Sequence, residues 1–180
     1  DQISAAGAEI RHATEVVKIR HEGGKVKSVV TRSLASGVEE ERPATAVFSS
    51  ISLSRMLQML DPAPPEEVLR ASRELRYRNY LVVNAIMDRE NLFPDQWVYI
   101  QSPEVRLARL QNYKNWSPYM VPDPKKTSLG LEYFASSDES FWNLPDSELI
   151  AWALSDLERV GLGSRKYLLD AFVIRQRDAY

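Results

Sequence analysis

Thr14-Glu15-Val16-Val17-Lys18-Ile19-Arg20-His21-Glu22-Gly23-Gly24-Lys25-Val26-Lys27-Ser28-Val29-Val30-Thr31 carries the clearest structural signal in the chain. Two β-branched runs flank a double glycine, and Val17 and Ile19 alternate with polar neighbours, the period of a half-buried strand. Glycine tolerates positive φ at little steric cost, so Glu22-Gly23-Gly24-Lys25 reads as a hairpin turn. Working outward, Ala8-Glu9-Ile10 starts the sheet and Ser36-Gly37 marks the next turn. Ala46-Val47-Phe48-Ser49-Ser50 then supplies a short apolar strand. Residues 8–50 therefore predict a three-stranded meander.

Beyond the meander the pattern changes period. Leu53, Met56, Leu57 and Leu60 share one helical face, and Asp61-Pro62 is expected to end that helix. A second helix is expected from Pro65 to about Leu75, with Glu66 and Glu67 near the positive end of its dipole. Strands return at Tyr77 to Met87, Trp97 to Ile100, Leu107 to Tyr113 and Ser128 to Phe134. The prolines of residues 114–126 predict an ordered loop. Asp146 to Val160 is the clearest helix: Asp146 is placed to cap it and Gly161 to stop it. Leu149, Ile150, Ala153, Leu154, Leu157 and Val160 form its apolar face. Asp170 to Arg175 reads as a last strand. Asp1-Gln2-Ile3-Ser4-Ala5-Ala6-Gly7 reads as the tail of a helix, and both ends look cut, the expectation for an excised internal piece.

Composition sets outer bounds. The 180 residues are 44% hydrophobic and 27% charged, ordinary globular values with enough apolar material for a core. The 23 basic and 25 acidic residues are dispersed and give a net charge of −2, so nucleic acid is not an expected partner. The sequence has no cysteine, which removes disulfides, thiolate metal sites and a cysteine nucleophile; it suits the cytoplasm, the expected location. No apolar run approaches the ~20 residues of a membrane span, and no signal peptide is visible.

Motifs for chemistry are sparse. Gly161-Leu162-Gly163 follows a helix, whereas a phosphate loop precedes one. His12 and His21 read as solvated strand residues, so no metal site is expected. Glu39-Glu40-Glu41 reads as a solvated strand or turn edge. The most unusual stretch runs from Arg109 to Tyr119 and packs amides, aromatics and two cations into eleven residues. Such groups suit a polar ligand. The alternative is a strand end whose aromatics cover a core edge and whose amides fix a loop. Tyr77 and Asn79, with Tyr99 and Gln101, either line the same pocket or serve cross-strand packing.

The order of segments resembles the flavin amine-oxidase superfamily. Ala6-Gly7-Ala8-Glu9-Ile10, Thr14 to Ile19, Val26 to Thr31 and Ala46 to Leu53 look like its return from substrate domain to FAD domain. Ser49-Ser50-Ile51-Ser52-Leu53 matches a small-small-x-Pro-Leu turn near the cofactor, with Ser52 where proline is usual. Asn91 to Ile100, Arg109 to Pro118, Met120 to Pro124 and Leu129 to Phe134 resemble a protoporphyrinogen-oxidase-like or UDP-galactopyranose-mutase-like branch. The resemblance covers essentially the whole chain.

The resemblance implies an α+β fold: a mixed, largely antiparallel sheet with packed helices, plus the three-stranded β-meander. Residues 1–52 would belong to the FAD-binding domain and residues 53–180 to a substrate-binding domain truncated at its C-terminus. Val16 and Val17 would hold the adenine of FAD through the backbone, and Ser50 would lie near the cofactor. Tyr77, Asn79, Tyr99, Arg109, Gln111, Asn112, Tyr113 and Trp116 are the candidate contacts to a small-molecule substrate. The family's GxGxxG loop is absent from this stretch, so an FAD-dependent oxidoreductase is expected of the longer parent. This piece alone is expected neither to hold FAD tightly nor to turn over. A mutase-like flavoenzyme, using Arg76, Arg78, Arg106 and Arg109 for a diphosphate, is one alternative. A non-catalytic interaction module is the other.

Overall fold

The computed structural model describes residues 5–179, which form two compact units, the first running to Leu75 and the second beginning at Arg76. The first unit holds a four-stranded sheet of order β3-β2-β1-β4, built from β1 (Thr14–Glu22), β2 (Lys25–Ser33), β3 (Glu39–Pro43) and β4 (Leu60–Asp61). Gly23 and Gly24 take φ of 57° and 74°, the double positive-φ turn that matches the twist of two antiparallel strands. Val16 faces Thr31 and Lys18 faces Val30, so Val17 is the extra residue of a β-bulge in β1. Gly7 and Gly37 also take positive φ, as a helix end and a turn require. The helix tail expected at Asp1 to Ser4 lies outside the described residues.

Two segments differ from the strands expected of them. Residues 46–50 lie outside the sheet, with Phe48 fully exposed, and the third strand is Glu39–Pro43. Polar pairing decides this register: Arg32 bonds Glu39, and Ser28 donates to Glu41 at 2.6 Å. The acidic triplet is thus an edge strand, and Pro43 closes it. Ala8-Glu9-Ile10 is likewise not a strand, and Ala13 behind it turns the chain at φ 48°.

Helix α1 (Leu53–Gln58) stops earlier than expected, because Leu60 and Asp61 leave it to pair in parallel with Ile19 and Arg20. Helix α2 (Glu66–Glu74) begins after Pro65, with Glu66 and Glu67 in its first turn as expected.

The second unit is a five-stranded sheet of order β6-β7-β8-β5-β9, from β5 (Asn79–Met87), β6 (Trp97–Tyr99), β7 (Arg109–Asn112), β8 (Thr127–Ala135) and β9 (Leu168–Gln176). All its pairs are antiparallel, so among the described residues the only parallel pairing is that of β4 in the first unit. Leu81, Val83, Ala85 and Met87 of β5 and Leu129, Leu131, Tyr133 and Ala135 of β8 fill one face. A helix (Asp146–Arg159), α4 after the single turn α3 (Tyr113–Trp116), covers that face with Leu149, Ala153 and Leu157. Burying such side chains contributes roughly 1.5–3 kcal/mol each.

The start of α4 differs from expectation. Pro145 occupies the cap position, and Asp146, one residue inside, accepts a bond from Arg175 at 2.6 Å. Its end agrees: Gly161 has φ 73°, and Gly161 and Leu162 donate back to Glu158 and Leu157. The proline-rich connection is not wholly irregular, since it contains α3 and a 3-10 turn at Pro118–Met120. Lys114 anchors it on the carbonyls of Glu90 and Pro124, and Asn115 on those of Phe93 and Asp95.

Asp156 is a buried carboxylate inside this apolar layer. It accepts from the Leu107 N–H at 3.1 Å and the Tyr133 hydroxyl at 3.2 Å. Asp156→Ala strands both donors, and a loss of about 3 kcal/mol is expected. Urea unfolding followed by tryptophan fluorescence checks this, because the four tryptophans all lie in the second unit. Burial, and then the Asp156 charge, pushes the Tyr133 phenol above its usual range. The folded pKa is raised, so this contribution is intact below the unfolded value of about 10 and is lost as pH rises beyond it. The urea midpoint is therefore expected to fall above about pH 10, and to fall less in Tyr133→Phe.

Candidate functional site

The register that builds the core also builds the opposite face of the second unit's sheet. Side chains alternate along a strand, so Tyr80, Val82 and Asn84 of β5 point away from α4. They lie opposite Phe134, Glu132 and Gly130 of β8. On the next strand Arg109 faces Glu132 and Gln111 faces Gly130. Trp97 and Tyr99 of the edge strand complete the row opposite Gln111 and Arg109. One face is mainly hydrocarbon; the other is mainly polar and aromatic.

Glu132 organises this second face. It is 1% exposed, and Arg109 is 9% exposed. The Arg109 Nε donates to one carboxylate oxygen and the Gln111 amide to the other. Tyr80 also hydrogen-bonds this carboxylate. Burial, then the charge of Glu132 and that bond, pushes the Tyr80 phenol well above its usual range. A carboxylate held by three donors, one of them a guanidinium, is satisfied and fixed in direction.

Tyr113 sits beside this cluster. Its hydroxyl donates to Asn84 Oδ1 at 2.9 Å, and its phenol is raised by burial and by Glu132. Gly130 lies directly beneath: a Cβ there would collide with the Tyr113 phenol, so glycine is what lets the ring reach Asn84. Among the described residues, the buried Asn84 Nδ2 has no hydrogen-bond partner.

The structure brings together Tyr99, Arg109, Gln111, Tyr113 and Trp116 among the candidate substrate contacts. Asn79 and Asn112 lie on the core side of their strands. Asn79 bonds Ser137 and the Asp178 N–H, and Asn112 donates to the Phe93 carbonyl. Tyr77 is half-buried just before β5. Sequence reading missed Glu132, Tyr80, Asn84 and Trp97. A charge and a glycine inside Leu129-Gly130-Leu131-Glu132 were the available signal, since both are costly in a buried strand without a reason.

In the first unit, Val16 is 39% exposed and Val17 is half-buried at the bulge. Strand β4 meets β1 only at Ile19 and Arg20, so among the described residues no strand pairs with the outer edge of β1 at Thr14 to Lys18. Backbone groups on such an edge can receive a heterocycle that offers one donor and one acceptor. Ser50 is exposed in the irregular segment after β3. His21 donates to the Pro62 carbonyl at 2.9 Å. Among the described residues no group of three His, Asp or Glu lies close enough to hold a metal ion, and no helix is long and apolar enough to cross a membrane.

Comparison with known proteins adds to this geometry. No match was found among curated proteins. Among solved structures, a reduced UDP-galactopyranose mutase superposes with a TM-score of 0.68 at 16% identity, over 98% of this chain and 36% of that one. An oxidoreductase from Methanosarcina mazei gives 0.66 at 19% identity, over 99% and 40%. A redesigned putrescine oxidase gives 0.60 at 15% identity, over 94% and 36%. The chain thus spans well under half the length of these structures, whose likeness shows a shared fold. The family described as flavin containing amine oxidoreductase matches residues 1–174. The chain belongs to that flavin-containing amine oxidoreductase family.

Proposed function

We propose that this chain is the part of an FAD-dependent oxidoreductase that supplies its substrate-binding sheet and part of its adenine site. The observation that carries this reading is the two-sided sheet of the second unit. Its far side holds a buried Arg109–Glu132–Gln111 network that the core does not need. Tyr99, Arg109, Gln111, Tyr113 and Trp116 are the proposed substrate contacts, with Glu132 and Tyr80 holding Arg109 and Gln111 in place. On this reading the outer edge of β1 at Val16 and Val17, unpaired among the described residues, would receive the adenine, and Ser50 would lie near the cofactor. FAD, when bound, supplies the hydride-accepting chemistry; the protein's part is binding and orientation. The absence of cysteine suits a cytoplasmic parent.

The mutase-like reading stands second. It needs cations for a diphosphate, and Arg78 and Arg106 already share Glu139 while Arg109 is held by Glu132.

The full-length parent is expected to show oxidised flavin absorption near ~450 nm, and this chain alone to purify colourless. A colourless parent after added FAD would turn the reading toward a non-catalytic interaction module; stoichiometric FAD on the chain alone would overturn the proposed division of the site. In a flavin-bearing parent, Glu132→Gln frees Arg109 from its fixed geometry. A fall of roughly 10- to 100-fold in kcat/KM is expected for a substrate found by screening amines, porphyrinogens and UDP-sugars. The flavin spectrum should be unchanged.

A further inference from the structure

Three aromatic side chains stand exposed at the β6 edge of the sheet: Trp97 at 41%, Tyr99 at 61% and Trp116 at 51%. Trp97 is in contact with both of the others. The Trp97 ring lies 5.2 Å from Tyr99 and 6.3 Å from Trp116, centroid to centroid. The hydrophobic core is built on the other face, so these rings are not needed there. A contiguous exposed aromatic patch beside a fixed polar network has the anatomy of a ligand site.

The charge behind the rings says which ligand. The Arg109 guanidinium carbon lies 5.2 Å from the Trp97 centroid and 5.9 Å from that of Tyr99, within cation–π range. A cation beside a ring draws π density toward itself and makes the ring's remaining face less negative. A second cation arriving there meets a weakened quadrupole as well as like-charge repulsion. Arg109 is also neutralised by Glu132, which removes the long-range pull a lone guanidinium would exert on a carboxylate or phosphate. An uncharged, electron-rich flat ring meets neither penalty and gains the offset stacking that aromatic faces offer.

We infer that Trp97, Tyr99 and Trp116 form a stacking platform that selects a flat, electron-rich, uncharged ring in the substrate and disfavours an ammonium group. Trp97, common to both ring contacts, is its specificity-determining residue. This rests on the reading of this face as the substrate side.

The test uses this 180-residue chain carrying ¹⁵N-labelled tryptophan, which gives one indole N–H signal for each of its four tryptophans. 2-Naphthol serves as the ring probe and 1,4-diaminobutane as the ammonium probe. 2-Naphthol is expected to shift the Trp97 and Trp116 signals and leave those of Trp142 and Trp152 in place. Trp97→Ala should weaken its binding roughly tenfold, while Trp97→Phe retains it. An unmoved Trp142 signal, from a buried ring, confirms that each variant is folded. The inference is overturned if 1,4-diaminobutane shifts these signals in place of 2-naphthol. It is equally overturned if 2-naphthol moves exposed Trp152 as much as Trp97, or binds Trp97→Ala as well as the parent chain. No flavin takes part, so a flavin-bearing parent whose platform ignores 2-naphthol sinks this inference alone. A colourless parent with the platform intact sinks the oxidoreductase reading alone.

Discussion

The uninterrupted pairing of β5 with β8, from Asn79 opposite Ala135 to Met87 opposite Thr127, decides which side chains of the second unit can meet. Side chains alternate with a period of two, so a slip of one residue would exchange the two faces. Leu81, Val83, Leu129 and Leu131 would then face away from α4, and Glu132 would be driven into hydrocarbon. Hydrophobic burial therefore fixes the register, and the register delivers Glu132 to Arg109 and Gly130 to Tyr113. The polar face inherits its geometry from the apolar one.

That inheritance explains how a buried ion pair persists in this sheet. Removing two charges from water costs several kcal/mol each, and their attraction seldom returns much more. The Arg109–Glu132 pair is thus a poor source of stability. Its value lies in direction: Glu132 takes donors from Arg109 and Gln111 on adjacent positions of one strand face, so neither side chain can rotate without leaving a buried charge unmatched. The aromatic groups around Arg109, including Phe134 at 4.8 Å from its guanidinium carbon, enclose the cation further. The strands carry positions; the ion pair converts them into fixed orientations.

What was legible in the sequence follows the same physics. The Gly23-Gly24 hairpin, β5, β8 and α4 declare themselves because period and turn chemistry are local properties. Residues 46–50 misled because apolarity alone says nothing about a partner: among the described residues Val47 and Phe48 have no strand to join, whereas Glu39 to Glu41 pair through arginine and serine contacts that no local pattern reveals. Leu60 had the spacing of a helix face, yet the open edge of β1 drew it into a parallel pair. On the candidate site, the unusual composition of Arg109 to Trp116 was visible. Its division between two faces, with Asn112 turned to the core and Gln111 to Glu132, depended on register. Glu132 was hidden because a lone carboxylate in a strand has meaning only beside its cross-strand neighbour.

The two proposed contact regions differ in kind, and so in how far any sequence could reveal them. On the sheet of the second unit, recognition would rest on side chains, whose identity is written in the chain even when their orientation is not. At β1 it would rest on main-chain groups at Val16 and Val17, which every residue except proline carries. What singles out that place is an interruption of pairing. The bulge at Val17 removes a residue from the regular ladder with β2, and β4 ends its pairing at Ile19. An apolar residue suits such a position, since its side chain offers no competing hydrogen bond to its own backbone. A site built from absent pairing leaves no motif. It becomes visible only when the sheet is assembled and one stretch of edge is left open.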